Sequence, residues 1–202
     1  MLLVINNYVT NIESGRREME VIGNVCRGLA GIDFEVMHFS KLHGGLLREK
    51  PEIEAVISGG YYDSYDSFDL DIFSGKHDFL KSLTVPFLGI CGGMQHLVLA
   101  FGGSVRRVYY GNEEKGYCKV YFSKSNMLFN GLDNEFYVWQ NHYCEIAELP
   151  EEFEILSSSK KCRVQAVQLK GKSVFGVQFH PEKFTREHQA GRRVLQNFLS
   201  LV

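Results

Sequence analysis

A cysteine flanked by glycines, Gly89-Ile90-Cys91-Gly92-Gly93, follows the apolar run Val85-Pro86-Phe87-Leu88, and far downstream the chain carries Gln178-Phe179-His180-Pro181-Glu182. The first segment reads as a strand that breaks into a tight turn holding a thiol and then enters a helix begun by Met94-Gln95-His96-Leu97. That is the pattern of a nucleophile elbow, where glycines serve because the strained turn needs a positive φ and close backbone approach. The second segment supplies an imidazole and a carboxylate two residues apart. Together they are the parts of a cysteine-centred acyl-transfer site.

Each part has a physical reason. A free cysteine has a pKa of about 8.5, so the thiolate needs support at neutral pH. A helix N-terminus directly after Cys91 and a protonated His180 beside it both provide that support. Pro181 pushes His180 toward extended geometry, in which side chains alternate, so His180 and Glu182 lean to one side and Glu182 can orient the ring. A tetrahedral intermediate also needs backbone donors. One is the N–H of Gly92, and the other comes from Ser58-Gly59-Gly60, which follows the apolar run Ala55-Val56-Ile57. In an open α/β sheet both turns gather at the carboxyl ends of the strands.

The elements that must position these groups follow from periodicity and punctuation. Strands are expected at 1–6, 33–38, 53–58 and 85–90, with helices at 14–29, 74–82 and 92–101. Ser14 marks the start of the first helix and Gly31 its end. Beyond Gly102-Gly103 the pattern turns to short strands near 104–110, 117–122, 135–139, 153–157, 163–169 and 173–179. Thr185 is expected to cap a final helix whose buried stripe is Val194, Leu195, Phe198 and Leu199. No linker or repeat divides the chain, so one α/β domain over 1–202 with a mostly parallel sheet is expected.

Composition narrows the function classes. A net charge of −2 over 202 residues gives no electrostatic case for nucleic acid or an anionic membrane. The start Met1-Leu2-Leu3-Val4-Ile5 lacks the basic lead of a signal peptide, and no run approaches a membrane span, so a cytoplasmic protein is expected. In that setting the five cysteines read as free thiols. Cys26 falls on a helical face with Met19, Ile22 and Leu29, and Cys118, Cys144 and Cys162 lie in strand-like runs without C-x-x-C spacing, so no metal site is expected. Tyr61, Tyr62 and Tyr65 read as a surface loop packed by its own rings. Asp63, Asp66, Asp69 and Asp71 read as solvated charge, since a calcium loop's glycine and terminal glutamate are missing.

The segments Gly89-x-Cys91-x-Gly93-x-Gln95, Ser58-Gly59-Gly60 and Gly176-Val177-Gln178-Phe179-His180-Pro181-Glu182 resemble the triad-type class I glutamine amidotransferases, and the likeness extends over nearly the whole chain. Within that family, Val138-Trp139-Gln140-Asn141-His142 followed by Glu148-Leu149-Pro150 is most like the glutaminase subunit of GMP synthase. The resemblance implies the flavodoxin-like fold of that family with extra antiparallel strands. It implies Cys91 as nucleophile, His180 as general base and acid, Glu182 as its partner, Gly59 and Gly92 as oxyanion donors, and Gln95 with the backbone near Asn141 and His142 as glutamine contacts. It implies no metal or organic cofactor, and ammonia delivered to a synthetase partner. Departures are Tyr61 where a proline usually follows the two glycines, Gly92 after the nucleophile, and Asn141 before the histidine.

The expected activity is therefore hydrolysis of glutamine to glutamate and ammonia through a γ-glutamyl thioester. No G-x-x-x-x-G-K-[ST] loop is present, so the ammonia acceptor is expected on another chain, an ATP-pyrophosphatase subunit that converts XMP to GMP. Two other readings use the same residues: a stand-alone hydrolase of γ-glutamyl amides or peptides, and a regulatory module that keeps the fold without turnover.

Overall fold

The computed structural model describes residues 1–60, 70–108, 113–122 and 124–202. The tyrosines 61, 62 and 65 and the aspartates 63, 66 and 69 lie outside the described residues. Near-continuous apolar runs make strands buried on both faces, and these form the centre of the molecule. β1 (Leu2–Asn6), β2 (Phe34–His38), β3 (Ala55–Ser58) and β4 (Phe87–Ile90) alternate with helices α1 (Ile12–Ala30), α2 (Leu46–Glu49) and α3 (Ser74–Lys81). α4 (Gly92–Ala100) follows β4 directly. Then come β5 (Ser104–Arg107), β6 (Glu114–Tyr121), β7 (Glu135–His142), β8 (Cys144–Glu148), β9 (Phe153–Ser157), β10 (Ala166–Leu169), β11 (Val174–Val177) and the closing helix α5 (Ala190–Leu199).

Among the described residues, seven strands form one sheet in the order β2-β1-β3-β4-β11-β10-β9, parallel from β2 to β11 and antiparallel beyond. The order of the parallel part is that of flavodoxin-like sheets, and the chain switches direction across the sheet between β1 and β3. β5 with β8, and β6 with β7, form two antiparallel ribbons. Alternation splits the core. Leu2, Val4, Ile57, Leu88 and Val177 meet Met19, Ile22 and Cys26 of α1 and Val194, Leu195 and Phe198 of α5. Leu3, Ile5, Val56 and Phe87 meet Phe79 and Leu80 of α3 and Met94, Leu97 and Val98 of α4. No described helix is long and apolar enough to cross a membrane, and all five cysteines are free.

Three local expectations need correction. α1 begins at Ile12, and its cap residue Asn11 is left-handed with no side-chain cap bond, so Ser14 lies inside the helix. Thr185 does not cap the last helix: its hydroxyl accepts from the N–H of His188 (3.3 Å), closing a turn, and α5 starts five residues later. β8 lies over 144–148, where the sequence reading places Cys144 in a strand-like run but bounds no strand, because its pairing with the short β5 depends on a partner distant in sequence.

α5 bears on the segment that carries His180 and Glu182. Gly191, in its first turn, lies so close to Pro181 that an added Cβ would collide with the Pro181 carbonyl and stand 2.9 Å from its Cα. Gly191→Ala is expected to lower stability by about 1–3 kcal/mol through overpacking. Urea unfolding followed by circular dichroism measures the shift in midpoint.

Candidate active site

Four adjacent parallel strands, β1, β3, β4 and β11, end at the same edge, and each end carries a polar or glycine-rich element: Asn6-Asn7, Ser58-Gly59-Gly60, Cys91 and Gln178-Phe179-His180. Cys91 occupies the turn between β4 and α4 with φ 52° and ψ −109°, a region L-residues rarely visit. The turn is made by close packing. A Cβ on Gly89 would stand 2.6 Å from the Gly93 carbonyl carbon, and one on Gly93 would run into the carbonyl of Ser58. These glycines let α4 start against both β4 and β3. The Cys91 N–H donates to Val177 O of β11 (2.7 Å), tying the elbow to the strand that leads to the histidine.

The three side chains predicted from far-apart segments come together. His180 Nδ1 lies 2.8 Å from Glu182 Oε1, the imidazole and carboxylate being 11% and 7% exposed. The ring also lies close enough to the Cys91 sulfur for the thiol to favour a proton on the imidazole. Burial opposes charge on His180, but attraction to Glu182, the Cys91 sulfur nearby and the hydrogen bond to Glu182 outweigh it and raise the imidazole to about 10. The backbone of His180 is held too, its N–H donating to Trp139 O of β7 (2.8 Å). At neutral pH the arrangement therefore presents an imidazolium to the Cys91 sulfur. Burial pushes the thiols of Cys26 and Cys162 up to about 12, so neither competes as a nucleophile.

The glycine expected to donate to an oxyanion must be reassigned. The Gly59 N–H is bonded to Ile5 O of β1 (3.2 Å), and a Cβ on Gly59 would meet Met19 of α1, so this residue belongs to the sheet and faces the helix. Gly60 is the one beside the site, its Cβ position 3.4 Å from His180 Cε1. The intervening peptide is oriented by a side chain that sequence reasoning missed. Asn7 Nδ2 donates to Gly59 O (2.7 Å) and to Ser58 Oγ (3.0 Å). In a trans peptide the N–H points opposite to the carbonyl, so Asn7 turns the Gly60 N–H away from itself. Lys76, 1% exposed, donates from Nζ to Asn7 Oδ1 (2.5 Å), which fixes which end of the amide faces Gly59. Burial holds the Lys76 amine well below its usual range. Gly92 sits at the first position of α4, where helix geometry leaves its N–H without an intrahelical acceptor.

Gln95, expected at the substrate, is 3% exposed and donates from Nε2 to Cys144 O (3.1 Å) and to Gln178 Oε1 (3.0 Å). Gln178 Nε2 in turn approaches Cys91 Sγ at 3.5 Å. Gln178, seen in the sequence only as part of a motif, thus links Gln95 to the elbow thiol. His142 is directed elsewhere: its Nε2 lies 3.2 Å from Glu114 Oε2 and its Nδ1 3.0 Å from Cys144 O. Alternation along β7 puts the half-buried Asn141 on the opposite face. A substrate contact from this stretch is thus left to Asn141 and to backbone. His96 packs in the core, its ring centroid 4.3 Å from that of Phe73.

A family model, glutamine amidotransferase class-I, matches residues 17–201. The chain is 36% identical over 202 residues to the glutamine-hydrolyzing GMP synthase subunit of Methanococcus aeolicus, covering 98% of this chain and 95% of the relative. It is 43% identical over 130 residues to the subunit of the same name from Methanocaldococcus jannaschii, covering 63% of this chain and 67% of that one. The crystal structure of a Thermoplasma acidophilum protein, described as a GMP synthase subunit, superposes with a TM-score of 0.81 at 29% identity, covering 99% of this chain and 92% of that chain. With an elbow cysteine, a histidine and a glutamate meeting at the strand ends of a flavodoxin-like sheet, and with the family model spanning nearly its whole length, this chain belongs to the class I glutamine amidotransferases.

Proposed function

We propose that this protein is the glutamine-hydrolysing subunit of a two-chain GMP synthase, acting as one domain over residues 1–202. The observation that carries the chemical part is the His180 imidazole held by the Glu182 carboxylate beside the Cys91 thiol, which sits on a positive-φ elbow. Cys91 Sγ attacks the side-chain carboxamide carbon of glutamine. The carbonyl oxygen becomes an oxyanion, stabilised by the N–H groups of Gly60 and Gly92. As the tetrahedral species collapses, the C–N bond breaks and His180 gives its proton to the leaving ammonia. Water, deprotonated by His180, then attacks the γ-glutamyl thioester and releases glutamate and the free thiol. The relatives' names, each a glutamine-hydrolyzing subunit of GMP synthase, support a further subunit that takes the ammonia, and in our reading it is an ATP-pyrophosphatase on a separate chain.

In this reading Asn7 is a positioning residue. It does not touch substrate, but it aims the Gly60 donor, and Lys76 aims Asn7. The ionic state of the site is equally specific. His180 is an imidazolium stabilised by Glu182, with a folded pKa above the 6.5 of the unfolded chain. Its contribution to stability is complete below about 6.5 and is lost as pH rises toward about 10, since the native state binds the extra proton across that window.

Ammonia release from glutamine by the purified chain, first by itself and then with the synthetase partner from the same cell, tests the function. Release that rises on adding the partner and disappears in Cys91→Ala is expected. High unassisted turnover of γ-glutamyl peptides would point to a stand-alone hydrolase, and no release in either state to a silent module. Asn7→Ala is expected to lower kcat by roughly 100-fold, the scale of a lost oxyanion donor, with little change in KM for glutamine, in steady-state assays on protein shown to be folded by its melting curve. Unfolding free energy measured from pH 6.5 to 10 is expected to decline with pH, and the decline should flatten in Glu182→Gln.

A further inference from the structure

His142, predicted beside the substrate, instead faces a buried cluster of its own. Glu114, at the start of β6, is the cross-strand partner of His142 at the end of β7, and Cys162 reaches them from the segment before β10. The three residues are 5%, 3% and 2% exposed. Their ligand atoms, one carboxylate oxygen, one ring nitrogen and one sulfur, all lie within 4.8 Å of one another. Spacing along the chain gives no hint of this, because the residues belong to three separate segments.

The hydrogen bonds around the cluster have fixed directions. Cys144 O can only accept, so His142 Nδ1, 3.0 Å away, carries a proton and donates it. Gln165 Nε2 donates to Glu114 Oε2 (2.6 Å), and Gln140 Nε2 donates to Gln165 Oε1 (2.7 Å). The Cys162 thiol donates to Val164 O (3.4 Å), and what remains is His142 Nε2 facing Glu114 Oε2 at 3.2 Å. In a neutral ring that nitrogen is a lone pair, and two lone pairs in a buried space require a positive species between them. A proton is one candidate and a metal cation is the other.

We propose that Glu114, His142 and Cys162 form a buried three-residue site for a divalent transition-metal cation of the zinc class. A nitrogen, an oxygen and a sulfur ligand suit zinc or cobalt and do not suit calcium or magnesium, which take oxygen donors. The outer contacts are those a metal site uses: the Nδ1–H of His142 donates to a backbone carbonyl, and Gln165 donates to the ligating carboxylate. Glu145, the residue after Cys144, is paired with Arg106, its Oε1 accepting from Arg106 Nε (2.9 Å) and Nη2 (2.7 Å). A dication with one thiolate, one carboxylate and a neutral imidazole has no net charge. Binding replaces the thiol proton of Cys162 and releases it to solvent.

The role is structural. The ion would clamp β6, β7 and the segment carrying Cys162 at the end of β7. Next to that point are Asn141 and the Cys144 carbonyl that holds Gln95. The inference stands apart from the catalytic reading, and its test needs no turnover.

Cobalt titration of chelator-stripped Cys91→Ala protein decides it, the substitution removing the elbow thiol as a competing ligand. One equivalent is expected to bind with a sulfur-to-cobalt charge-transfer band and visible bands of a tetrahedral centre. Zinc should bleach both and raise the melting temperature. In the same background, Cys162→Ser should abolish the charge-transfer band. Glu114→Gln keeps the shape of Glu114 and its amide oxygen can still accept from Gln165, so in protein shown to be folded by its melting curve uptake should weaken by at least about 100-fold, the scale on which even outer partners of a metal act. Absence of saturable uptake, or a cobalt spectrum unchanged by Glu114→Gln, would overturn the proposal and leave the site to a proton shared by Glu114 and His142.

Discussion

The backbone of Cys91 is held in a conformation that costs on the order of 1–3 kcal/mol, and much of the molecule is arranged so that it persists. With φ at 52° and ψ at −109°, the residue points its thiol off the end of β4 while α4 begins at once behind it. Two glycines permit the approach of α4 to β4 and β3, and the N–H of Cys91 is anchored on β11. Relaxing that one φ would withdraw the sulfur from His180. The parallel sheet supplies the rigid frame, and the elbow is the place where its rigidity is used.

Around the elbow the structure buries polar side chains where an apolar core would be simpler. Lys76, Asn7 and Ser58 form one hydrogen-bonded group under the Gly59–Gly60 peptide. Gln95, Gln178 and the Cys144 carbonyl form another beside the sulfur. Desolvating these groups is costly unless each finds a partner, and satisfied networks in a medium of low dielectric are correspondingly directional. Here the direction matters more than the energy. One group decides which way a peptide N–H faces, and the other decides which amide end meets the thiol.

The strands added to the parallel sheet are parts of the site rather than decoration on it. β7 contributes the Trp139 carbonyl that holds the backbone of His180, and β8 begins at Cys144, whose carbonyl holds Gln95. His180 and the elbow helix thus each take a backbone acceptor from outside the flavodoxin-like frame. Substrate-side geometry is thereby coupled to how β6, β7 and β8 are packed.

The elbow and the histidine–glutamate pair are legible in the chain because their signals are local: glycines on both sides of a thiol after an apolar run, and an imidazole and carboxylate one proline apart. The alternating strands and helices are legible for the same reason, since periodicity of two or of 3.6 residues is written in neighbouring positions. Other features are decided only by tertiary contacts. Which peptide N–H of Ser58-Gly59-Gly60 is committed to the sheet depends on a bond to Ile5 and on the amide of Asn7, both on another strand or its end. That His142 turns toward Glu114 depends on the register of β6 against β7. Peptide-plane orientation and cross-strand partnership carry no imprint in adjacent residues, so they emerge only when the strands are brought side by side.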